Sequence, residues 1–270
     1  MPEPLTKCIF CGFKGELTQE HILSKWLHNY VPSTMKKYPT LVATQFHDHS
    51  DFKIRNRLGD PRDWKIRCVC GTKCNNGWMR QLDEKARPIL VPMLTGESTR
   101  IYPEQQTIIA AWAVMKAMTA EYDNPECTTT HYMQRRRMMR KQLPPEHGWG
   151  VWVGHFPHRP WVPIRYFFPF QLTSRARLHE RIEKHGNDFI TKYNGHIFTH
   201  IFGELFIQSI HAPIPSLIRS WRFPIFPDAG VLNRIWPITD YSINWPTHQM
   251  TRRDVEHAII VFREILAHRN

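Results

Sequence analysis

The sequence has no long hydrophobic run. Its most apolar stretch, from Thr107 to Ala120, is too short to span a bilayer and carries Lys116. The first four residues contain neither a basic segment nor an apolar segment of the kind that directs secretion. We therefore expect a cytoplasmic protein with no membrane partner.

Cysteine is scarce, acidic residues are outnumbered, and a phosphate-binding loop is missing. Six cysteines in 270 residues do not make a disulfide scaffold, and closely spaced cysteines in a reducing compartment indicate metal ligands. No Gly-Lys-Ser/Thr loop is present, which argues against an ATP-driven motor.

Lys and Arg number 36 against 24 Asp and Glu, and the formal net charge of +12 favours a polyanionic partner, nucleic acid first. A basic protein without such a partner is the alternative.

Two cysteine pairs have the spacing of zinc ligands. Two residues separate Cys8 from Cys11, and three separate Cys70 from Cys74. Structural zinc takes four nitrogen or sulfur ligands in a tetrahedron, often as two such pairs. We predict one Zn²⁺ ion held by these four thiolates, with Cys68 as the alternative to Cys70 if the local turn differs.

Three residues suited to metal-assisted hydrolysis accompany the cysteine pairs. Glu20 and His21 are adjacent and follow Cys11 closely, and Asn75 comes directly after Cys74. Carboxylate and amide oxygens suit Mg²⁺ or Mn²⁺, and a neutral histidine beside such an ion can take a proton from water. The three side chains are therefore predicted to form a site that cleaves a phosphodiester, with a structural histidine and a solvated glutamate as the alternative.

These motifs together resemble the HNH endonucleases, which have a ββα-metal fold. The resemblance rests on the cysteine pairs and on the strings Glu20-His21-Ile-Leu-Ser-Lys-Trp-Leu27 and Cys74-Asn-Asn-Gly-Trp-Met79. It covers roughly residues 5–122. The resemblance implies that His21 is the general base, that Glu20 and Asn75 hold the catalytic ion, and that the cysteines hold a structural zinc.

The sequence departs from that family at three points. The second cysteine pair is one residue wider than the common spacing, and the interval between His21 and Asn75 is long. The Asn in the middle of the motif, which orients the base, is not evident, and Asp63 and Asn56 are the candidates for its task. Asn76 is the alternative to Asn75 if the register differs by one residue.

A strongly basic segment follows the motif region. Five cations fall within seven residues, with no acid among them, in a stretch predicted to be helical. Such a cluster suits contacts to backbone phosphates that do not read sequence, whereas a solvated face is the alternative. The predicted nucleic-acid-binding residues are Arg135, Arg136, Arg137, Arg140 and Lys141.

Apolar patterns predict an α+β chain. We place a small zinc-stapled ββα-metal nuclease module at 1–100 and a mixed helix/strand domain, which positions nucleic acid, at 101–270. The predicted elements are short strands around the first cysteine pair, at 17–22 and at 64–69, a loop or hairpin inserted at 29–63, a helix at 75–87 stopped by Pro88, a buried helix at 105–122, a basic helix at 131–141, strands at 151–153, 164–170 and 205–210, and a closing helix from Thr251.

The sequence therefore predicts a metal-dependent HNH endonuclease that hydrolyses DNA. Double-stranded DNA is the expected partner, Zn²⁺ the structural ion and Mg²⁺ or Mn²⁺ the catalytic ion. A zinc-bound module that binds nucleic acid without cleaving it is the first alternative, because the middle Asn of the motif is missing. An RNA-cutting toxin is the second, because no residue excludes it.

Overall fold

The computed structural model describes residues 5–30, 37–43, 52–58, 60–158, 164–170, 194–213, 231–256 and 258. Within them the chain is a mixture of helices and largely antiparallel sheets, which confirms the predicted α+β class. The strands are β1 Leu17–His21, β2 Lys37–Ala43, β3 Phe52–Leu58, β4 Lys65–Cys70, β5 Thr99–Ile101, β6 Trp149–His155, β7 Ile164–Phe170, β8 Gly195–Phe202, β9 Leu205–His211, β10 Leu232–Trp236 and β11 Ile243–Trp245. The helices are α1 Arg80–Thr95, α2 Pro103–Ala120 and α3 Tyr132–Lys141.

Within the described ranges, the largest sheet has seven strands in the order β10-β6-β9-β8-β7-β2-β3. Its described neighbours are antiparallel except β2 and β7, which run parallel. β2 and β3 are the hairpin predicted within 29–63, and they pair along their whole length. Because this hairpin joins the large sheet through β7, it accounts for the long interval between His21 and Asn75.

A separate two-stranded sheet carries the first candidate residues. β1 pairs antiparallel with β4, so that Glu20 lies opposite Ile66 and His21 opposite Lys65. A π-helical segment, Gly71–Met79, follows β4 directly and continues into α1. The order of this part of the chain is therefore strand, strand, helix.

The strands predicted at 17–22 and 64–69 are confirmed by β1 and β4. The strand expected around the first cysteine pair is instead a turn, with one bridge between Lys7 and Lys14 beside it. A tight turn is needed here because both sulfurs of a closely spaced pair have to point the same way. An extended strand would direct neighbouring side chains to alternate faces.

α2 is the buried centre of the molecule. The helix expected at 105–122 is confirmed, and every side chain from Ile109 to Ala120 is buried. Apolar residues on all sides of a helix require cover all round, and α2 contacts α1, α3 and β4 as well as β6, β9 and β10 of the large sheet. Pro103 occupies the first turn, and Gln105 Oε1 accepts a hydrogen bond from Tyr102 N at 2.9 Å, which fixes where the helix begins.

The predicted end of α1 at Pro88 is wrong. The helix continues through Pro88 and Pro92 to Thr95 and ends at Gly96, which has a φ of 75°. A proline inside a helix costs about 3 kcal/mol. The added turns bury four large apolar side chains, at about 1.5–3 kcal/mol each, so their burial outweighs the prolines. These side chains are Ile89, Leu90, Met93 and Leu94.

Later elements also match their predictions. α3 confirms the basic helix, and β6, β7 and β9 contain the three expected strands. The closing helix is described only at 252–256 and 258, so the rest of that prediction lies outside the described residues. The division of the chain at residue 100 stays a prediction. None of the helices in the described ranges is both long and apolar enough to cross a membrane.

Candidate functional site

The four predicted zinc ligands come together in the structure. Cys8 Sγ lies 3.6 Å from Cys74 Sγ, and Cys11 Sγ lies 3.5 Å from Cys70 Sγ. All four sulfur atoms lie within 4.8 Å of one another. A tetrahedron with zinc–sulfur bonds of about 2.3 Å has sulfur–sulfur edges of roughly 3.8 Å. The cluster therefore has the size and the donor set to hold one zinc ion.

The backbone closes the turn that presents the first cysteine pair. Gly12 N donates to Cys8 O at 2.9 Å, and Cys8 N donates to Phe13 O at 2.9 Å. Gly12 has a φ of 76°, in the left-handed region where a residue without Cβ avoids strain. Ile9 N donates to Cys68 O at 3.1 Å, which attaches the turn to β4.

The second cysteine pair spans the junction between β4 and the π-helical segment. Cys70 ends the strand, and Cys74 lies four residues on, about one helical turn away. The helical start thus accommodates the extra residue between these two ligands. Cys68 lies outside the cluster, and its complete burial raises the pKa of its thiol well above the usual value. Of the two alternatives, the structure selects Cys70.

His21 lies half-buried at the end of β1, opposite Lys65. Burial, followed by the positive charges of Lys65 and Lys116, lowers the pKa of His21 to about 4. The negative charge of Asp63 works in the opposite direction. The imidazole is therefore neutral at neutral pH, which is the form that can accept a proton.

Glu20 points into the interior, where it meets a buried lysine. Its side chain is 8% exposed, and Oε1 accepts a hydrogen bond from Lys116 Nζ at 2.7 Å. Lys116 also donates to His21 O at 2.9 Å and lies 3.7 Å from Asp83 Oδ2. Burial opposes the charge of Lys116, but Asp83 and Glu20 outweigh it and raise the pKa of the ammonium group. One buried cation thus ties the end of β1 to α1 and α2.

Asn75 contacts β1 immediately before Glu20. Its Nδ2 donates to Thr18 Oγ1 at 3.0 Å and to Gln19 O at 3.1 Å, while Asn76 is exposed. Asn75 therefore lies in the same small region as Glu20 and His21. The cysteine cluster holds the helical segment of Asn75 against this region, because Cys74 belongs to both. Asn56, one candidate for the missing middle Asn, lies in β3 of the large sheet. Asp63, the other, acts on His21 through its charge.

Lys116 is the site residue that sequence reasoning did not identify. The sequence contains a feature that could have identified Lys116, because it is the only charged residue between Thr107 and Ala120. A lone charge in a buried helix predicts a buried partner, since an uncompensated charge is costly in the interior. The pattern does not say that the partner is Glu20, which lies 96 positions away in the chain.

Replacing Lys116 with methionine is expected to destabilise the fold by about 3–5 kcal/mol, because Glu20 and Asp83 would lose their buried counter-charge. The shift of the urea midpoint measures this change. The double variant Lys116→Met, Glu20→Gln is the matched control and should recover part of the loss, because it removes one of the two uncompensated charges. A single variant as stable as the wild type would contradict the structural role of Lys116.

The basic helix α3 divides into a buried cation and exposed ones. Arg135 is 8% exposed, and it donates from Nη1 to Thr130 O at 2.6 Å and from Nε to Ile9 O at 3.2 Å. Its guanidinium also lies 3.5 Å from Glu121 Oε2. Arg135 thus attaches α3 to the turn at residues 8–13, which presents Cys8 and Cys11 and is called the cysteine turn below. Any phosphate contacts of this helix would be made by the other four cations.

Those four cations are partly accessible. Arg136 is half-buried, and Arg137 is exposed and forms an ion pair with Glu146. Arg140 and Lys141 are exposed and line a cavity of about 480 Å³ together with Lys85 from α1. The charge of the segment therefore faces solvent at its C-terminal end.

No family model matches the chain, and no curated protein or solved structure matches it. What the chain offers is a four-cysteine cluster, a neutral histidine and an asparagine anchored to the same strand.

Proposed function

We propose that this protein is a metal-dependent HNH endonuclease that hydrolyses DNA phosphodiester bonds. The observation that carries the proposal is the four-cysteine cluster, which joins the turn before β1 to the end of β4 and to the helical start that carries Asn75, beside the β1 strand that ends at His21. The strand–strand–helix order of β1, β4 and α1 supports a ββα-metal arrangement of that region.

His21 would act as the general base. Its lowered pKa keeps the imidazole unprotonated at neutral pH, which is the form that can accept a proton from a water molecule. The hydrogen bond from Lys116 Nζ to His21 O fixes the backbone that carries the ring. Lys65 is exposed and lies opposite His21 in the sheet, and its positive charge would favour the approach of a phosphate.

A catalytic divalent ion would be held by two oxygens, one from Glu20 and one from Asn75. Glu20 uses Oε1 for Lys116, and neither Glu20 Oε2 nor Asn75 Oδ1 has a hydrogen-bond partner within the described residues. Hard oxygen donors of this kind suit Mg²⁺ or Mn²⁺. The ion, when bound, would neutralise charge on the phosphate and on the leaving oxygen. Lys116 would remain on the other Glu20 oxygen and hold the carboxylate in place.

The buried Lys116–Glu20 pair also favours a second candidate function. If the ammonium group satisfies Glu20 fully, the region would bind nucleic acid without cutting it. Incubation of supercoiled plasmid with the reduced protein and increasing Mg²⁺ or Mn²⁺ distinguishes the two functions. The endonuclease proposal expects nicked or linear product that depends on the ion, and binding without product supports the second function.

The acid limb of the pH profile should report the low pKa of His21. A base with a pKa of about 4 stays neutral as the pH falls from 7 to 5 and becomes protonated below 4. We expect protonation of His21 to cause no loss of the single-turnover cleavage rate down to about pH 5. An NMR titration of the His21 ring gives the midpoint independently of activity. A midpoint near the ordinary value of about 6.5 would contradict the assigned environment.

Removing the accessible charge of α3 should weaken binding to DNA. Replacement of Arg136, Arg137, Arg140 and Lys141 by alanine is expected to make the plot of log affinity against log salt less steep. The magnitude of its negative slope should fall by roughly 0.9 per lost phosphate contact. Fluorescence anisotropy at several salt concentrations measures the slope. Arg253→Ala, at an exposed cation outside α3, is the matched control. An unchanged slope in the quadruple variant would mean that α3 is only a solvated face.

A further inference from the structure

The cysteine turn carries an aromatic ring that faces solvent. Phe13 is 52% exposed, although a phenylalanine side chain is usually buried. Its ring packs against Gly15, where an added Cβ would lie 2.5 Å from Cε1 and 2.6 Å from Cζ. Only glycine at position 15 therefore lets the ring occupy this position without a shift.

Hydrogen bonds hold the backbone that carries the ring. Phe13 O accepts the hydrogen bond from Cys8 N at 2.9 Å, and Lys7 and Lys14 form a backbone bridge on either side of the turn. Cys11, two residues before the ring, belongs to the four-cysteine cluster. A preorganised side chain loses little conformational freedom when it binds a partner.

The turn that carries the ring also contains two exposed lysines. Lys7 and Lys14 are exposed, and neither forms an ion pair within the described residues. α3 packs against the same turn, because the Tyr132 hydroxyl lies 2.9 Å from the position of a Gly12 Cβ and Arg135 bonds the turn backbone. The basic helix and the turn that carries the ring are therefore neighbours.

We propose that Phe13, flanked by Lys7 and Lys14, is a stacking platform for an unpaired base of a nucleic acid. Bases have flat faces that stack on aromatic rings, and lysines on either side can neutralise the adjoining phosphates. The bases of an intact duplex are already stacked, so the platform selects single-stranded or locally opened nucleic acid. This inference rests on the proposed function, which has a nucleic acid as its partner. It adds that the part of the nucleic acid bound by Phe13 is single-stranded or locally opened.

A membrane is the less suitable partner. Helices that lie in a membrane surface present a broad apolar face. The turn offers one exposed ring and two exposed lysines, and Cys8, Ile9 and Phe10 beside it are buried. A single base, in contrast, matches one ring in size and shape. The arrangement of charge and aromatic surface thus fits a nucleotide better than a lipid layer.

The test measures binding by the full-length protein without added divalent ion, so that cleavage plays no part. The probes are a single-stranded DNA oligonucleotide that contains 2-aminopurine and the fully paired duplex of the same sequence. Phe13→Ala should weaken single-strand binding by about 5- to 100-fold and abolish the fluorescence change of the stacked base, with less than about 2-fold effect on the duplex. Phe13→Trp should restore single-strand binding. Tyr241→Ala removes another exposed ring, which is 80% exposed, and should change neither affinity.

Equal losses on both DNA forms, or no loss on either, would overturn the platform. So would a Phe13→Ala variant that loses binding to anionic vesicles and keeps its affinity for the single strand. Zinc content, measured for each variant, shows that the turn is intact. If the wild type cuts DNA and Phe13→Ala binds normally, only the platform fails. If Phe13-dependent single-strand binding occurs without any cleavage, the platform stands and the endonuclease proposal fails.

Discussion

Replacing Cys11 with serine is expected to release zinc and unfold the region formed by the cysteine turn, β1, β4 and the start of α1. Cys11 Sγ lies 3.5 Å from Cys70 Sγ, and the four sulfurs form one compact cluster. Serine keeps the size of the side chain but supplies no thiolate. The variant therefore tests the metal rather than the packing, since Cys11 is only half-buried.

The magnitudes favour a large effect. A structural zinc ion contributes roughly 10–16 kcal/mol at pH 7, whereas a typical domain is stable by only about 5–15 kcal/mol. Metal analysis of reduced protein should find about one zinc per chain in the wild type and much less in Cys11→Ser. Cys127→Ser, at a buried cysteine outside the cluster, is the matched control and should keep its zinc. A folded wild type without zinc would contradict the assignment.

The fold could be predicted where residues close together in the sequence determine the local structure. α2 could be predicted because apolar residues cover every side of it, and such a helix has to be buried. The end of α1 could not be predicted from Pro88, because the energy that carries the helix onward comes from tertiary burial of Met93 and Leu94. The pairing of β2 with β7 joins residues more than a hundred positions apart, and no local pattern encodes such a contact.

The same distinction applies to the site. The four-cysteine cluster could be predicted because each pair is local and its spacing has a geometric meaning. The partner of Lys116 could not, since Glu20 meets it only in the folded chain. Arg135 was grouped with its basic neighbours by sequence, but its position on α3 turns it toward Ile9 O and Glu121. Exposure, rather than charge alone, separates a binding cation from a structural one.

Replacing His21 with alanine should remove cleavage while it preserves zinc content, fold and DNA binding. A positioned general base contributes about 10²–10⁴-fold to a rate, and the neutral ring of His21 has the protonation state for that task. The side chain is half-buried and its backbone oxygen, not its ring, accepts the bond from Lys116. Alanine at this position therefore leaves the buried network in place. His147→Ala, at an exposed histidine outside the site, is the matched control and should cut normally.

The most direct test is the ratio of single-turnover cleavage rates of the wild type and His21→Ala. Both proteins are assayed at neutral pH with saturating Mg²⁺ or Mn²⁺, and both are shown beforehand to contain equal zinc. The account predicts that the wild type cuts about 10²–10⁴-fold faster. Equal rates would contradict it, because His21 would then have no part in the chemistry and the cysteine cluster would support a fold whose activity lies elsewhere.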